Sequence, residues 1–192
     1  MNVWVVGNGQ SRQGFALNHL KDWTIGCNAV YRDFLCDEFV AVDMRMVNEM
    51  LHNNVGSYVY TRQDWANNYS DARVRPLPDL PFTGDTKADQ PFHWNSGPYA
   101  ILLAAKKNPE YINLLGFDLW SKDGLVNNLY KGTPNYAKSE STSVSPELWI
   151  YQLGKLFRYY DQINFVQYQA HDWQIPDEWK DIKNLTIKYF SV

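Results

Sequence analysis

The sequence contains little cysteine and no run of basic residues. Its two cysteines, Cys27 and Cys36, form neither a disulfide framework nor a CxxC or Cys/His metal motif, so we expect buried thiols in a reducing compartment. The formal net charge is -3 and Lys and Arg are not clustered, which argues against stable binding of duplex nucleic acid. No set of His, Asp and Glu has the spacing of a metal site, so none is predicted.

Long hydrophobic runs are absent as well. No segment reaches the length of a membrane-spanning helix, which is about 20 apolar residues. Residues 1–11 lack the basic start of a signal peptide and are predicted to form a strand and a turn. We therefore expect a cytoplasmic protein without a membrane span, and its 192 residues favour a single domain over 1–192.

The sequence does contain short apolar runs that alternate with helical segments. Strands are predicted at 3–6, 23–27, 39–42, 57–61, 111–115, 163–168 and, at a sheet edge, 185–190. Helices are predicted at 13–20 (capped by Ser11), 46–52, 99–107 and from 147 to about 160. Polar stretches at about 63–92 and 121–145 are predicted to be long loops, the first with a short irregular helix as an open alternative. This alternation predicts an α/β fold, a single Rossmann-like domain with a mainly parallel sheet and helices on both faces.

Polar or glycine-rich turns follow several of these strands. Such turns present free N–H groups to anions, and open parallel sheets bind ligands at the carboxyl ends of their strands. The turns therefore predict a nucleotide-binding site, and their candidate residues are Asn8, Gly9, Ser11, Asn28, Asp43, Asn95, Ser96, Gly97, Asp118 and Trp120. Structural alternatives stay open: the first turn could be empty, Asn28 could satisfy its own loop, and Asp43 could cap a helix.

The first turn matches neither of two common nucleotide-binding motifs. It lacks the Gly-Lys-Ser/Thr of a Walker loop, and Arg12 occupies the place of the third glycine in the dinucleotide fingerprint GxGxxG. In order along the chain, however, the turns resemble those of the small bacterial sialyltransferases that use CMP-sialic acid. That family has an Asn-Gly-Pro-Ser loop, here Asn8-Gly9-Gln10-Ser11, and a strand that ends in Cys-Asn, here Cys27-Asn28. Its later Ser-Gly pair corresponds to Ser96-Gly97, and its Gly-Ile-Asp-Phe-Tyr segment to residues 116–120.

The resemblance covers about residues 3–120 and implies transfer of a sugar from a CMP-sugar, or another pyrimidine nucleotide sugar, to a hydroxyl acceptor without a required cofactor. It implies that Asn8 and Ser11 contact the phosphates or the ribose and that Asn28 lies near the sugar or the phosphate. It further implies that Ser96 and Gly97 bind the cytidine part. Asp118 would support the ribose or the loop. In the family, tyrosines hold the leaving phosphate. Trp120 stands at one such position, and Tyr130 and Tyr136 are nearby substitutes.

The general base is where the sequence departs from the family. The sialyltransferases carry a His in the loop before the late helix, and the corresponding residues 137–143 contain none. Glu140 lies in the loop where the family carries its His, so its position favours it as the base. His93, beside the turn at 95–97, has the better chemistry, because the unperturbed pKa of His is about 6.5. Both stay candidate catalytic residues.

Two rival functions stay open beside the transferase. The missing His favours a noncatalytic nucleotide-binding module. A looser resemblance of the same loops to 6-hydroxymethylpterin diphosphokinase-like proteins suggests pyrophosphoryl transfer, in which Asp43 or Asp118 would hold Mg²⁺ together with the phosphates.

Overall fold

A computed structural model describes residues 1–190. Its eight strands are β1 Asn2–Val6, β2 Trp23–Cys27, β3 Glu38–Val40, β4 Tyr58–Thr61, β5 Val74–Pro76, β6 Tyr111–Leu115, β7 Asn164–Gln169 and β8 Leu185–Tyr189. They form one sheet in the order β5-β4-β3-β2-β1-β6-β7-β8, and every neighbouring pair is parallel. The predicted α/β class with a parallel sheet is confirmed.

Four α-helices accompany the sheet in the described residues: α1 Met44–His52, α2 Gln63–Ala66, α3 Ser96–Ala105 and α4 Glu147–Tyr159. The apolar α3 is buried along almost its whole length and packs on β1, β2, β3 and β6 on one side and on α4 on the other. A helix that is hydrophobic all round requires such a central place. The opposite face of the sheet is covered by α1 and by the 3-10 helix Asn28–Arg32. Within residues 1–190, no helix combines the length and the hydrophobicity that crossing a bilayer requires.

Three local predictions from the sequence are wrong. The helix over 13–20 is replaced by the short 3-10 helices Gln10–Arg12 and Leu17–His19, because Gly14 between them adopts a positive φ of 81°. Ser11 therefore caps no helix. The segment over 63–92 begins with α2, a short helix of the kind allowed for, but it also contains β5, which was not predicted. This strand of three residues ends in Pro76 and forms an edge of the sheet, where proline is tolerated.

The ends of β1 and β6 pass unusually close to each other. The N–H of Gly7 donates to Leu115 O over 2.7 Å, and the N–H of Gly9 donates to Gly116 O over 2.9 Å. A Cβ on Gly7 would lie 2.6 Å from Gly116 O, and Gly116 itself has a φ of 70°. The sheet order changes direction at β1, so this glycine contact lies at the switch point where open parallel sheets bind ligands.

We predict that Gly7→Ala destabilises the fold, because the new methyl group meets a backbone oxygen that cannot rotate away. The free energy of unfolding should fall by about 1–3 kcal/mol. Gly56→Ala is the matched control, since a Cβ there meets open space, and it should change stability by less than about 0.5 kcal/mol. Urea unfolding followed by tryptophan fluorescence measures both, and equal midpoints for the two variants would contradict the prediction.

Candidate nucleotide site

A cavity of about 310 Å³ opens at the carboxyl ends of β1, β2, β3 and β6 and at the start of α3. It brings together eight of the residues predicted from the sequence: Asn8, Gly9, Asn28, Asp43, Asn95, Ser96, Gly97 and Asp118. Residues that the sequence analysis did not select complete the wall, among them Met46, Asn127, Asn128, Asn135, Trp149 and Leu153. Tyr136, noted before only as a substitute tyrosine, also lines it.

The first turn is held in place by Asp118. Its carboxylate accepts hydrogen bonds from Ser11 N, over 2.8 Å, and from Ser11 Oγ. A Cβ on Gly9 would lie 2.5 Å from Asp118 Cγ, so the turn and the carboxylate fit together only with glycine there. Ser11 thus stands behind the cavity wall, and the contacts of Asp118 are those of a residue that supports the loop.

Ser96 joins the turns after β2 and β3. Its hydroxyl donates to Asn28 Oδ1 over 3.0 Å and accepts from Val42 N over 3.1 Å. Asn28 has a φ of 51°, a left-handed conformation that Asn tolerates better than most residues. Asn28 Oδ1 is therefore engaged by Ser96 within the protein, although Asn28 also lines the cavity.

Asn8 and Tyr136 form a further polar part of the cavity wall. The Tyr136 hydroxyl accepts from Asn8 Nδ2 over 3.1 Å and from Ala29 N over 3.2 Å. Burial raises the pKa of Tyr136 to about 12, so the hydroxyl keeps its proton at neutral pH. Because the two hydrogen bonds described for this hydroxyl both use it as acceptor, its own proton is available to a ligand. Asn8 Oδ1 is buried and has no described hydrogen-bond partner.

Neutral side chains dominate the electrostatics of the cavity. Asp43 and Asp118 are its ionisable carboxylates, and none of the lining residues described within 1–190 is Lys, Arg or His. Asp43 caps α1 by accepting from Arg45 N over 2.9 Å, and its hydrogen bonds with the Arg45 guanidinium lower its pKa. Both carboxylates are thus engaged with protein donors. In the described part of the chain, no group of three or more His, Cys, Asp or Glu could hold a metal ion.

Trp120 and Tyr130 lie outside the cavity lining. Trp120 stacks on Trp173, with ring centroids 5.5 Å apart and 10° between the planes. Tyr130 is buried between Arg12 and Asp33, and its hydroxyl accepts from Arg12 over 2.7 Å and donates to Asp33 over 2.5 Å. These contacts give both residues structural roles.

The two candidate bases are also outside the lining. His93 is exposed in the 3-10 helix Pro91–His93, and Glu140 is exposed in the loop before α4. His93 is nevertheless close in sequence to Asn95 of the cavity wall. The fully buried Gln152 of α4 joins the two, since its Nε2 donates to His93 O over 2.9 Å and its Oε1 accepts from Asn95 N over 3.4 Å.

The fold is that of an α/β protein with a cavity at the switch point of a parallel sheet, where such sheets bind ligands. No family model and no curated protein matches the chain. Among solved structures, the chain is similar to the sialyltransferase CST-II in complex with a trisaccharide acceptor and CMP. The identity is 15% and the TM-score 0.50, over 87% of this chain and 80% of the other. The comparison establishes a distant likeness in fold. It gives no support to the diphosphokinase resemblance.

Proposed function

We propose that this protein is a glycosyltransferase-like enzyme that transfers a sugar from a CMP-linked donor to a hydroxyl acceptor. The observation that carries the proposal is a cavity at the switch point whose wall offers neutral hydrogen-bond donors and, among the described residues, no cation. The distant likeness in fold to a sialyltransferase crystallised with CMP and an acceptor supports the same reaction class.

The neutral wall favours a donor that carries a single phosphate. A CMP-sugar has one negative charge at its phosphodiester, whereas a nucleoside diphosphate sugar has two. Amide groups, a tyrosine hydroxyl and the free N–H groups at the start of α3 can stabilise one charge without a counter-ion. A second phosphate would need a cation to offset the carboxylates of Asp43 and Asp118, and in many enzymes Mg²⁺ supplies it.

In this proposal the sugar–oxygen bond to CMP breaks, the phosphate keeps the bonding electrons, and the acceptor oxygen forms the new bond as it loses its proton. Tyr136 is the tyrosine suited to donate to the leaving phosphate, because its proton is free and Tyr130 is occupied by Arg12 and Asp33. Asn8 orients the Tyr136 hydroxyl from one side and Ala29 N from the other.

The acceptor proton requires a base, and the two candidates stay His93 and Glu140. Both lie on exposed segments that lead into the cavity wall, His93 near Asn95 and Glu140 near Tyr136. Movement of either segment on substrate binding would bring the side chain to the acceptor. Loops that complete a catalytic site only on closure are common in enzymes.

We predict that calorimetry finds tighter binding of CMP than of CDP, and tighter binding of both than of NAD. The reason is that CMP carries one phosphate group whereas CDP and NAD carry two, and the described residues of the neutral wall offer no cation to a second phosphate. Mg²⁺ should leave the affinity for CMP nearly unchanged. Tighter binding of NAD than of any pyrimidine nucleotide would overturn the proposal, and CDP binding that requires Mg²⁺ would favour pyrophosphoryl transfer.

Asn8→Ala and Asn28→Ala should each weaken CMP binding by about tenfold, because each removes a polar group at the end of a strand beside the bound phosphate or ribose. The unfolding midpoint should change little in Asn8→Ala but should fall in Asn28→Ala, because alanine tolerates a φ of 51° poorly and leaves the Ser96 hydroxyl without this acceptor. Asn68→Ala, at an exposed position outside the cavity, is the matched control and should bind CMP as the wild type does. Unchanged affinity in both cavity variants would move the nucleotide site elsewhere.

The base is tested by turnover of a CMP-sugar in His93→Ala and Glu140→Gln, after calorimetry has established that both bind CMP. We expect one variant to lose about 10²- to 10⁴-fold in turnover, the usual contribution of a general base. The variant that loses activity identifies the base. Full activity in both would contradict the assignment, and a wild type that binds CMP without any turnover would favour the noncatalytic module.

A further inference from the structure

One arginine outside the cavity holds the loop that carries two residues of its wall. Tyr136 and Asn135 reach the cavity from an irregular segment that is far in sequence from β1 and β2. Arg32, in the 3-10 helix after β2, donates to Thr133 Oγ1 over 2.8 Å and to Pro134 O over 3.0 Å. The guanidinium thus binds the residues immediately before Asn135 and Tyr136.

Glu49 of α1 anchors this arginine. Its Oε1 accepts from Arg32 Nε over 2.7 Å and from the Tyr31 hydroxyl, and its Oε2 accepts from Asn135 Nδ2 over 2.6 Å. Burial alone would raise the pKa of Glu49, but hydrogen bonds from Tyr31, Asn135 and Arg32 outweigh it and lower the pKa. The Glu49 side chain is 15% exposed and that of Arg32 21%, so solvent screens the pair less than an open surface pair.

The same guanidinium packs against the aromatic rings of the loop. Its Cζ lies 5.7 Å from the ring centroid of Tyr136 and 5.7 Å from that of Tyr130. Contacts at this distance attract a cation to a tyrosine ring. Arg32 therefore holds the loop through three contacts. It binds the backbone oxygen of Pro134 and the hydroxyl of Thr133, and it packs against the ring of Tyr136.

We propose that Arg32, paired with Glu49, is a positioning residue that holds Tyr136 and Asn135 in place to receive the nucleotide. The inference rests on the proposed function, because it assumes that a pyrimidine nucleotide occupies the cavity. A loop held before binding loses less conformational freedom when the ligand arrives. A cation placed behind the tyrosine also favours donation from its hydroxyl to a phosphate.

The test is a double-mutant cycle on CMP affinity, measured by calorimetry with Arg32→Ala, Tyr136→Phe and the combined variant. Arg32→Ala should weaken binding about tenfold. The combined variant should lose less affinity than the two single losses added together, because part of the effect of Arg32 passes through the Tyr136 hydroxyl. Arg32→Lys should restore little, since an ammonium cannot make the forked contacts to Glu49 and the loop together.

Arg62→Ala is the matched control. Arg62 is also half-buried, pairs with Asp64 over 2.7 Å and lies 4.0 Å from the ring centroid of Trp65. Its described side-chain hydrogen bonds go to Asp64 and, unlike those of Arg32, not to the loop before Asn135. Its removal should leave CMP affinity unchanged. If Arg32→Ala does not fold, CMP affinity is measured in Glu49→Gln and Arg32→Lys instead. Each is a conservative change to one member of the pair, and each should still weaken CMP binding.

Three results would overturn the inference. Wild-type affinity in the folded Arg32 variants would assign Arg32 to stability alone and leave the proposed function intact. Additive losses in the combined variant would mean that Arg32 acts independently of Tyr136. Absence of CMP binding by the wild type would overturn the proposed function and this inference with it.

Discussion

The close passage of the β1 and β6 ends is the constraint on which the rest of the structure depends. Gly7 and Gly116 leave room for two backbones to exchange hydrogen bonds where side chains would collide. Gly9 then approaches Asp118, whose carboxylate binds Ser11 and fixes the first turn. Gly7, Gly9 and Gly116 also line the cavity, so it opens at this contact. A single set of short contacts therefore joins the central strands and forms part of the cavity wall.

The composition of the cavity wall determines which ligands it can stabilise. Amide groups provide donors and acceptors without a net charge, so they can orient a phosphate, a ribose and a base in one space. Both carboxylates of the wall are engaged with protein donors, Asp43 with Arg45 and Asp118 with Ser11. A site of this kind obtains its selectivity from geometry rather than from charge, and its donors must therefore be held rigidly.

The sequence predicts the strand-end half of the site well and the loop half poorly. Asn8, Asn28 and Ser96 follow short apolar runs or open a helix, and these local patterns suffice to place them at one edge of a parallel sheet. Tyr136 and Asn135 join them only through contacts over about 100 positions, as in the Tyr136 to Ala29 hydrogen bond. No local pattern encodes such contacts. Likewise, no local pattern predicts that Ser11 donates to Asp118, which is remote in sequence, instead of capping a helix.

The two halves of the wall are stabilised by different interactions, and this has a consequence for function. The strands that carry the strand-end residues are fixed by the apolar core, whose burial does not depend on any one polar contact. The loop half depends on directed hydrogen bonds to Arg32 and Glu49, which are lost individually when one partner changes. Substitutions around the loop are therefore expected to displace the loop half of the cavity wall while the sheet stays intact. The shape of that half of the wall is accordingly separable from the stability of the fold that carries it.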